Sequence, residues 1–199
     1  MQYPDFYDSI PTIKVQDPLS DILGSFHNGE YEFSYLDIVK ASGHSCPTVA
    51  GAFIVTMVAL NTLYKDKRAI RGEIEVEFKN SFEEGVTGVI SNVISQITGA
   101  TQTSGFKGLN KRFARHSLMK FNSELEYAIK FTRTDTKKSV EINYDPKAIS
   151  QNMLMPSLMQ KAMQNSATDE ELELFGKLWQ TRVSEIFENI DKVILVKEV

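Results

Sequence analysis

Ser42-Gly43-His44-Ser45-Cys46-Pro47 opens the stretch on which the fold turns, and Thr48 to Tyr64 completes it. Gly43 is placed to end one helical pattern in a left-handed conformation. Pro47 suits the first position of the next helix, where its missing N–H costs nothing. The run from Val49 to Leu63 is apolar on nearly every face, which predicts an enclosed helix rather than an amphipathic one. It falls short of the roughly 20 apolar residues that a membrane span requires. Asn61, Thr48, Thr56 and Thr62 lie in or beside it, so we read a buried core helix and no membrane partner.

Upstream, Pro4, Pro11 and Pro18 punctuate residues 1 to 18 with little periodicity, and an extended surface arm is expected there. Residues 19 to 26 read as a short helical turn ended by Asn28-Gly29. Ser34-Tyr35-Leu36-Asp37 has the form of a capping box that starts a helix reaching about Ala41. Downstream, Lys65-Asp66-Lys67-Arg68 returns the chain to water, and Glu73 to Phe78 alternates strictly, as a strand with one wet face does. Val86, Val89, Ile90, Val93, Ile94 and Ile97 are β-branched, yet their spacing marks one face of a helix. Periodicity over three turns outweighs propensity, and Gly99 can end that helix.

Residues 100 to 116 read as a loop. Leu125 to Phe131 and Val140 to Tyr144 alternate on either side of Thr134-Asp135-Thr136, which predicts an antiparallel hairpin. Met153 to Met163 is a methionine-rich helix with Pro156 near its start. Thr168-Asp169-Glu170-Glu171 is a second capping box, before a long helix that carries Leu172, Phe175, Trp179, Val183, Ile186 and Ile190 on one side. Val193 to Val196 reads as a closing strand. The order of elements predicts an α+β fold, a mixed and mostly antiparallel sheet covered by helices, with the helix after Gly-His-x-Cys-Pro at its centre. We expect a single domain over residues 1–199, with the helical part at 151–190 packed on it.

With 42% hydrophobic and 24% charged residues, the 199-residue chain has ordinary globular values. The net charge of −4 excludes a nucleic-acid binder that works by neutralising phosphates. The one cysteine rules out an internal disulfide, and the start Met1-Gln2-Tyr3-Pro4-Asp5 lacks the pattern of a signal peptide. A reducing, cytoplasmic setting is the expectation.

Cys46 falls at the first turn of the enclosed helix, whose free N–H groups and dipole suit a negatively charged sulfur. His44, two residues earlier, can reach the same ion. Sulfur plus imidazole favours Zn²⁺, Ni²⁺, Fe²⁺ or Co²⁺ over Mg²⁺ or Ca²⁺. Two ligands do not make a site, and a third has to come from His116, His27 or a carboxylate. The plainer alternative is a small buried cysteine with a histidine at a helix end. Two further readings stay open. One is a Cys46 nucleophile, with His116 a better base than the adjacent His44. The other is a haem pocket with one axial ligand. Between Gly105 and His116, Lys107, Lys111, Arg112 and Arg115 concentrate positive charge; Lys107, Arg112 and Arg115 are the candidates for a small anionic ligand. The Gly-Lys-Ser/Thr ending of a Walker loop is absent.

Gly43-His44-Ser45-Cys46-Pro47, followed by Val49-Ala50-Gly51-Ala52, resembles the Gly-His-x-Cys-Pro-Gly signature of the FmdE/FwdE-like family, which is named for formylmethanofuran dehydrogenase. The strand at Glu75 to Phe78, the helix to Ile97, Thr98-Gly99-Ala100-Thr101 and Gly105-Phe106-Lys107-Gly108 match that family's second region in layout. The likeness covers about residues 35 to 121. It implies an α+β domain, often dimeric, with a transition metal at His44 and Cys46, and an accessory role rather than methanofuran chemistry. The chain departs from the pattern where family members carry cysteines, at Val89 and Ala100, and at Asn92, where they carry an acid. It also has no cysteine-rich tail of the zinc-ribbon type. A homodimer is therefore expected, along with a metal whose remaining ligands are open.

Overall fold

The computed structural model describes residues 2–110 and 112–199. In chain order, a 3₁₀ turn at Asp5–Ser9 leads to β1 (Ile13–Gln16), α1 (Pro18–Ile22), β2 (Glu30–Phe33), α2 (Tyr35–Ser42) and α3 (Pro47–Tyr64). Next come β3 (Ala69–Ile70), β4 (Ile74–Phe78), α4 (Thr87–Thr98), β5 (Met119–Lys120), β6 (Ile129–Arg133) and β7 (Ser139–Tyr144). The chain closes with α5 (Met155–Met163), α6 (Asp169–Glu188), α7 (Ile190–Val193) and β8 (Ile194–Glu198).

The class is α+β, and the strands divide between two mixed sheets. One has the order β2-β1-β3 and the other β5-β4-β6-β7-β8. The β1–β3 and β4–β5 pairs are parallel and the rest antiparallel. In the stretch read as an extended arm, Ile13–Gln16 is the middle strand of the small sheet, and Val15 is fully buried. The hairpin forms later than its alternation predicts. The N–H groups of Glu126 and Tyr127 donate to the buried Glu141 carboxylate at 3.0 and 2.9 Å instead of to a strand, so β6 starts only at Ile129.

α3 is enclosed as its composition requires, with Ala50, Phe53, Ile54 and Leu60 in the core. Its hydrogen-bonded start is capped by Cys46, with Pro47 in the first turn. α4 forms despite its β-branched residues. It buries Val93, Ile94 and Ile97 and ends at Gly99, whose φ is 77°. Both capping boxes are reciprocal, Ser34 with Asp37 and Thr168 with Glu171.

α3 runs directly into the 65–68 segment before β3. The end of α4 is tied to the same region, because Gly72 N–H donates to the Thr98 carbonyl at 3.0 Å. Arg71 donates to the carbonyls of Ile97 and Gln96, both at 2.9 Å. The two helices, which pack on each other, therefore deliver their C-termini to one edge of the molecule and their N-termini to the other.

Candidate metal-binding turn

His44, Ser45 and Cys46 form the tight link between α2 and α3 at the N-terminal edge of the helix pair. Gly43 turns the chain there with φ 77°. Ser45 points inward and is clamped from several sides. Its hydroxyl bonds the Tyr35 hydroxyl at 2.9 Å, and its carbonyl accepts from Trp179 Nε1 at 2.9 Å and Gln180 at 3.4 Å. Gln180 in turn accepts from Tyr7 at 3.1 Å, so the N-terminal segment, α2 and α6 converge on one residue. Tyr144 lies across Gly51 of α3 and donates to the Pro47 carbonyl at 2.7 Å. Burial pushes the Tyr35 and Tyr144 hydroxyls well above the ordinary tyrosine range, so both remain donors at neutral pH.

The two donors that flank Ser45 are held differently. His44 is exposed, and its Nδ1 sits 3.0 Å from the Ser42 carbonyl. A carbonyl can only accept, so this contact puts a proton on Nδ1, and in the neutral ring Nε2 is then the nitrogen that carries the lone pair. Cys46 is half-buried at the N-cap, and its Sγ accepts the Val49 N–H at 3.4 Å. Among the described residues, no three His, Cys, Asp or Glu side chains come together as a group able to hold a metal. His44 and Cys46 are two side chains of the types that bind transition metals, and a tetrahedral site takes four donors.

His116 does not join them. It lies between Arg115, whose carbonyl accepts the Thr101 N–H at 2.9 Å, and Leu118, whose N–H donates to the Thr101 carbonyl at 3.0 Å. That places it just beyond α4, at the C-terminal edge, where its Nδ1 bonds Ser117 at 3.0 Å. Ala100 is fully buried at the same edge. An α3 of 18 residues rises about 27 Å. Side chains at its two ends therefore cannot share an ion within one chain. His27 lies in the 3₁₀ turn before β2, outside the link altogether.

The basic loop is split as well. Arg115, 7% exposed, spends its charge on Asp17 at 2.6 Å and rests against Gly72 and Gly99. Arg112 stacks on Phe113 at 4.6 Å and, with Pro18, Arg71, Gly72 and Glu73, lines a cavity of about 450 Å³. Lys107 is exposed, and Lys111 lies outside the described residues. Asp17, 5% exposed, also binds Arg71 at 2.9 Å. Neither Asp17 nor Arg71 stands out in the sequence, since no local pattern announces a pairing across so much chain. Trp179 and Tyr144 are legible there only as apolar residues of a helix stripe and a strand.

A family model described as FmdE, molybdenum formylmethanofuran dehydrogenase operon, matches residues 41–196. Among curated proteins, none matches the chain.

Proposed function

The chain belongs to the FmdE family, and on that premise we propose that it is a metal-binding member whose His44-Ser45-Cys46 turn offers two donors to a divalent transition ion. The observation that carries this reading is the orientation of His44. With Nδ1 occupied by the Ser42 carbonyl, Nε2 is the nitrogen left for a ligand, and the ring is exposed. Imidazole and sulfur together select Zn²⁺, Ni²⁺, Co²⁺ or Fe²⁺ over the hard cations. The clamp on Ser45 fixes the backbone between the two donors, so little conformational entropy is lost on binding. Two protein donors leave at least two coordination positions for solvent, a small ligand or a donor from another molecule. Such a turn is suited to docking an ion more than to enclosing it.

A second reading rests on Ser45 itself. The bonds from Tyr35, Trp179 and Gln180 make the link a clasp that fastens α6 to the N-terminus of α3. On that reading the protein is a metal-free accessory module.

Elemental analysis and Zn²⁺ titration of untagged protein separate the two, with Cys46→Ser and His44→Ala beside the wild type. Near-stoichiometric metal that falls at least tenfold in affinity in either variant is the expected result. Substoichiometric metal in the wild type, or unchanged occupancy in both variants, overturns the metal reading and leaves the clasp.

A further inference from the structure

Asp17 is one carboxylate set between two guanidinium groups. Arg71 Nη1 reaches it at 2.9 Å and Arg115 Nη2 at 2.6 Å. Two positive charges thus share one negative charge, an excess of one at that junction. Burial holds Arg115 below the ordinary arginine value; Asp17 works against this and Arg71 adds to it. The second terminal nitrogen, Arg115 Nη1, is buried and has no hydrogen-bond partner among the described residues. A buried guanidinium N–H left unbonded is costly, so an acceptor or a compensating anion is favoured there.

Nη1 packs behind Gly72. A Cβ there would lie 2.2 Å from it, so glycine is what lets the guanidinium come so close. Gly72 in turn belongs to the wall of the 450 Å³ cavity, which opens between the start of α1, the segment after β3 and the loop before β5. Arg71 and Arg112 line the same cavity. Arg71 has used four of its five N–H groups, on Ile97, Gln96, Tyr31 and Asp17, and keeps one on Nη2. Arg112 is exposed, and its guanidinium makes no hydrogen bond or ion pair among the described residues; it rests on the Phe113 ring. Phe113 has φ 62°, a left-handed backbone that bulky side chains rarely adopt. The loop therefore accepts strain at the cavity wall. Glu73 is the one acid on that wall, and its charge also acts on Arg133 and Tyr64, which lie outside the cavity. With Asp17 it makes two carboxylates against three guanidinium groups.

From this arrangement we propose that the cavity binds a phosphate group, either the free anion or the monoester of a small molecule. Arg71 and Arg112 donate to its oxygens from the wall, and Arg115 adds its charge from behind Gly72. Guanidinium forks match a phosphate through paired N–H donors, and a dianion answers the surplus positive charge. A volume of about 450 Å³ is in the range of small-molecule sites, roughly 300–1,000 Å³, and leaves room for the rest of a small ester. Of the basic residues that stand out in the sequence, Lys107 has no place on this wall, and Arg71 takes its part. Arg71 and Gly72 hold the end of α4, so the cavity lies at the edge opposite His44 and Cys46, and the proposal does not rest on metal there.

Calorimetric titration of the full chain with inorganic phosphate and, separately, with glycerol 3-phosphate tests this at constant ionic strength. EDTA is present throughout, so that no bound metal captures the phosphate. One saturable site is expected, with a Kd below about 1 mM. Arg112→Gln should weaken binding at least about tenfold with an unchanged circular-dichroism spectrum. Lys107→Gln should leave the affinity as it is. In the isotopically labelled chain, the amide resonances of Gly72, Glu73 and Ala114 should move on titration, and those of Ser45 and Cys46 should not. Saturable binding of either ligand with this pattern supports the site, and the tighter of the two identifies its source. No saturable binding, an undiminished affinity in Arg112→Gln, resonance shifts confined to other residues, or succinate bound as tightly as phosphate overturns the proposal.

Discussion

Gly51 shows how much a single side chain can decide. It sits in the second turn of α3, and a Cβ there would lie well inside contact distance of the Tyr144 ring. The ring is held in place by its bond to the Pro47 carbonyl and by the low exposure of the strand around it. A methyl group at Gly51 therefore has to displace Tyr144 and break that bond. Gly51→Ala is expected to lose about 2 kcal/mol to overpacking, although alanine is the better helix former by about 1 kcal/mol. Urea unfolding measures the sum, and a variant as stable as the wild type would refute the close fit. Tyr144→Phe keeps the packing and removes only the hydroxyl, so it should cost about 1 kcal/mol. The glycine itself is visible in the sequence, but its reason is not, because the residue that needs it lies in a strand far along the chain.

Among the elements, those with a long period and a marked end are the legible ones. α3 can be read from continuous apolarity between Pro47 and Lys65, and α4 from a stripe that outweighs its β-branched composition. The two capping boxes form as written. What escapes is short or depends on a distant partner. β3 and β5 have two residues each, too few for any alternation to show. The start of β6 moves because Glu141, on the neighbouring strand, takes the N–H groups of Glu126 and Tyr127. α6 has a role that its stripe does not announce, since Trp179 reaches the Ser45 carbonyl beside both candidate donors. Trp179 is the only tryptophan, so its emission should change when Zn²⁺ is added if the ion binds this turn. The change should vanish in His44→Ala and persist in Thr168→Ala. The latter loses the α6 cap at a cost of about 1 kcal/mol and leaves the turn intact. An emission change that survives His44→Ala would place the binding elsewhere.

At the scale of the whole molecule, Asp17 joins parts that topology alone leaves apart. It caps α1 through the N–H groups of Leu19 and Ser20, and it accepts from Arg71, which follows β3 and also holds the end of α4, and from Arg115 in the loop before β5. The small sheet, the helix pair and the long loop thus meet on one carboxylate. Burial alone would push that carboxyl up, but Arg115, Arg71 and the two backbone N–H groups outweigh it and hold it below the ordinary aspartate value. A carboxyl with a depressed pKa in the folded state contributes stability that is fully present above its unfolded value, near about 3.9, and is lost as pH falls through the folded one. Asp17→Asn removes the charge and leaves two guanidinium groups facing each other with one fewer anion. It should cost about 3 kcal/mol at neutral pH, in the range for breaking a buried pair. The gap between the variant and the wild type should begin to narrow only below the unfolded aspartate value and should close once pH has fallen through the lower folded one, since protonation then does to the wild type what the substitution has already done. Thermal melts of the two proteins from pH 7 down to acid check both parts. A gap that stays constant into acid would mean that Asp17 works through packing and backbone capping, and that its charge is not what ties the two sheets and the helix pair together.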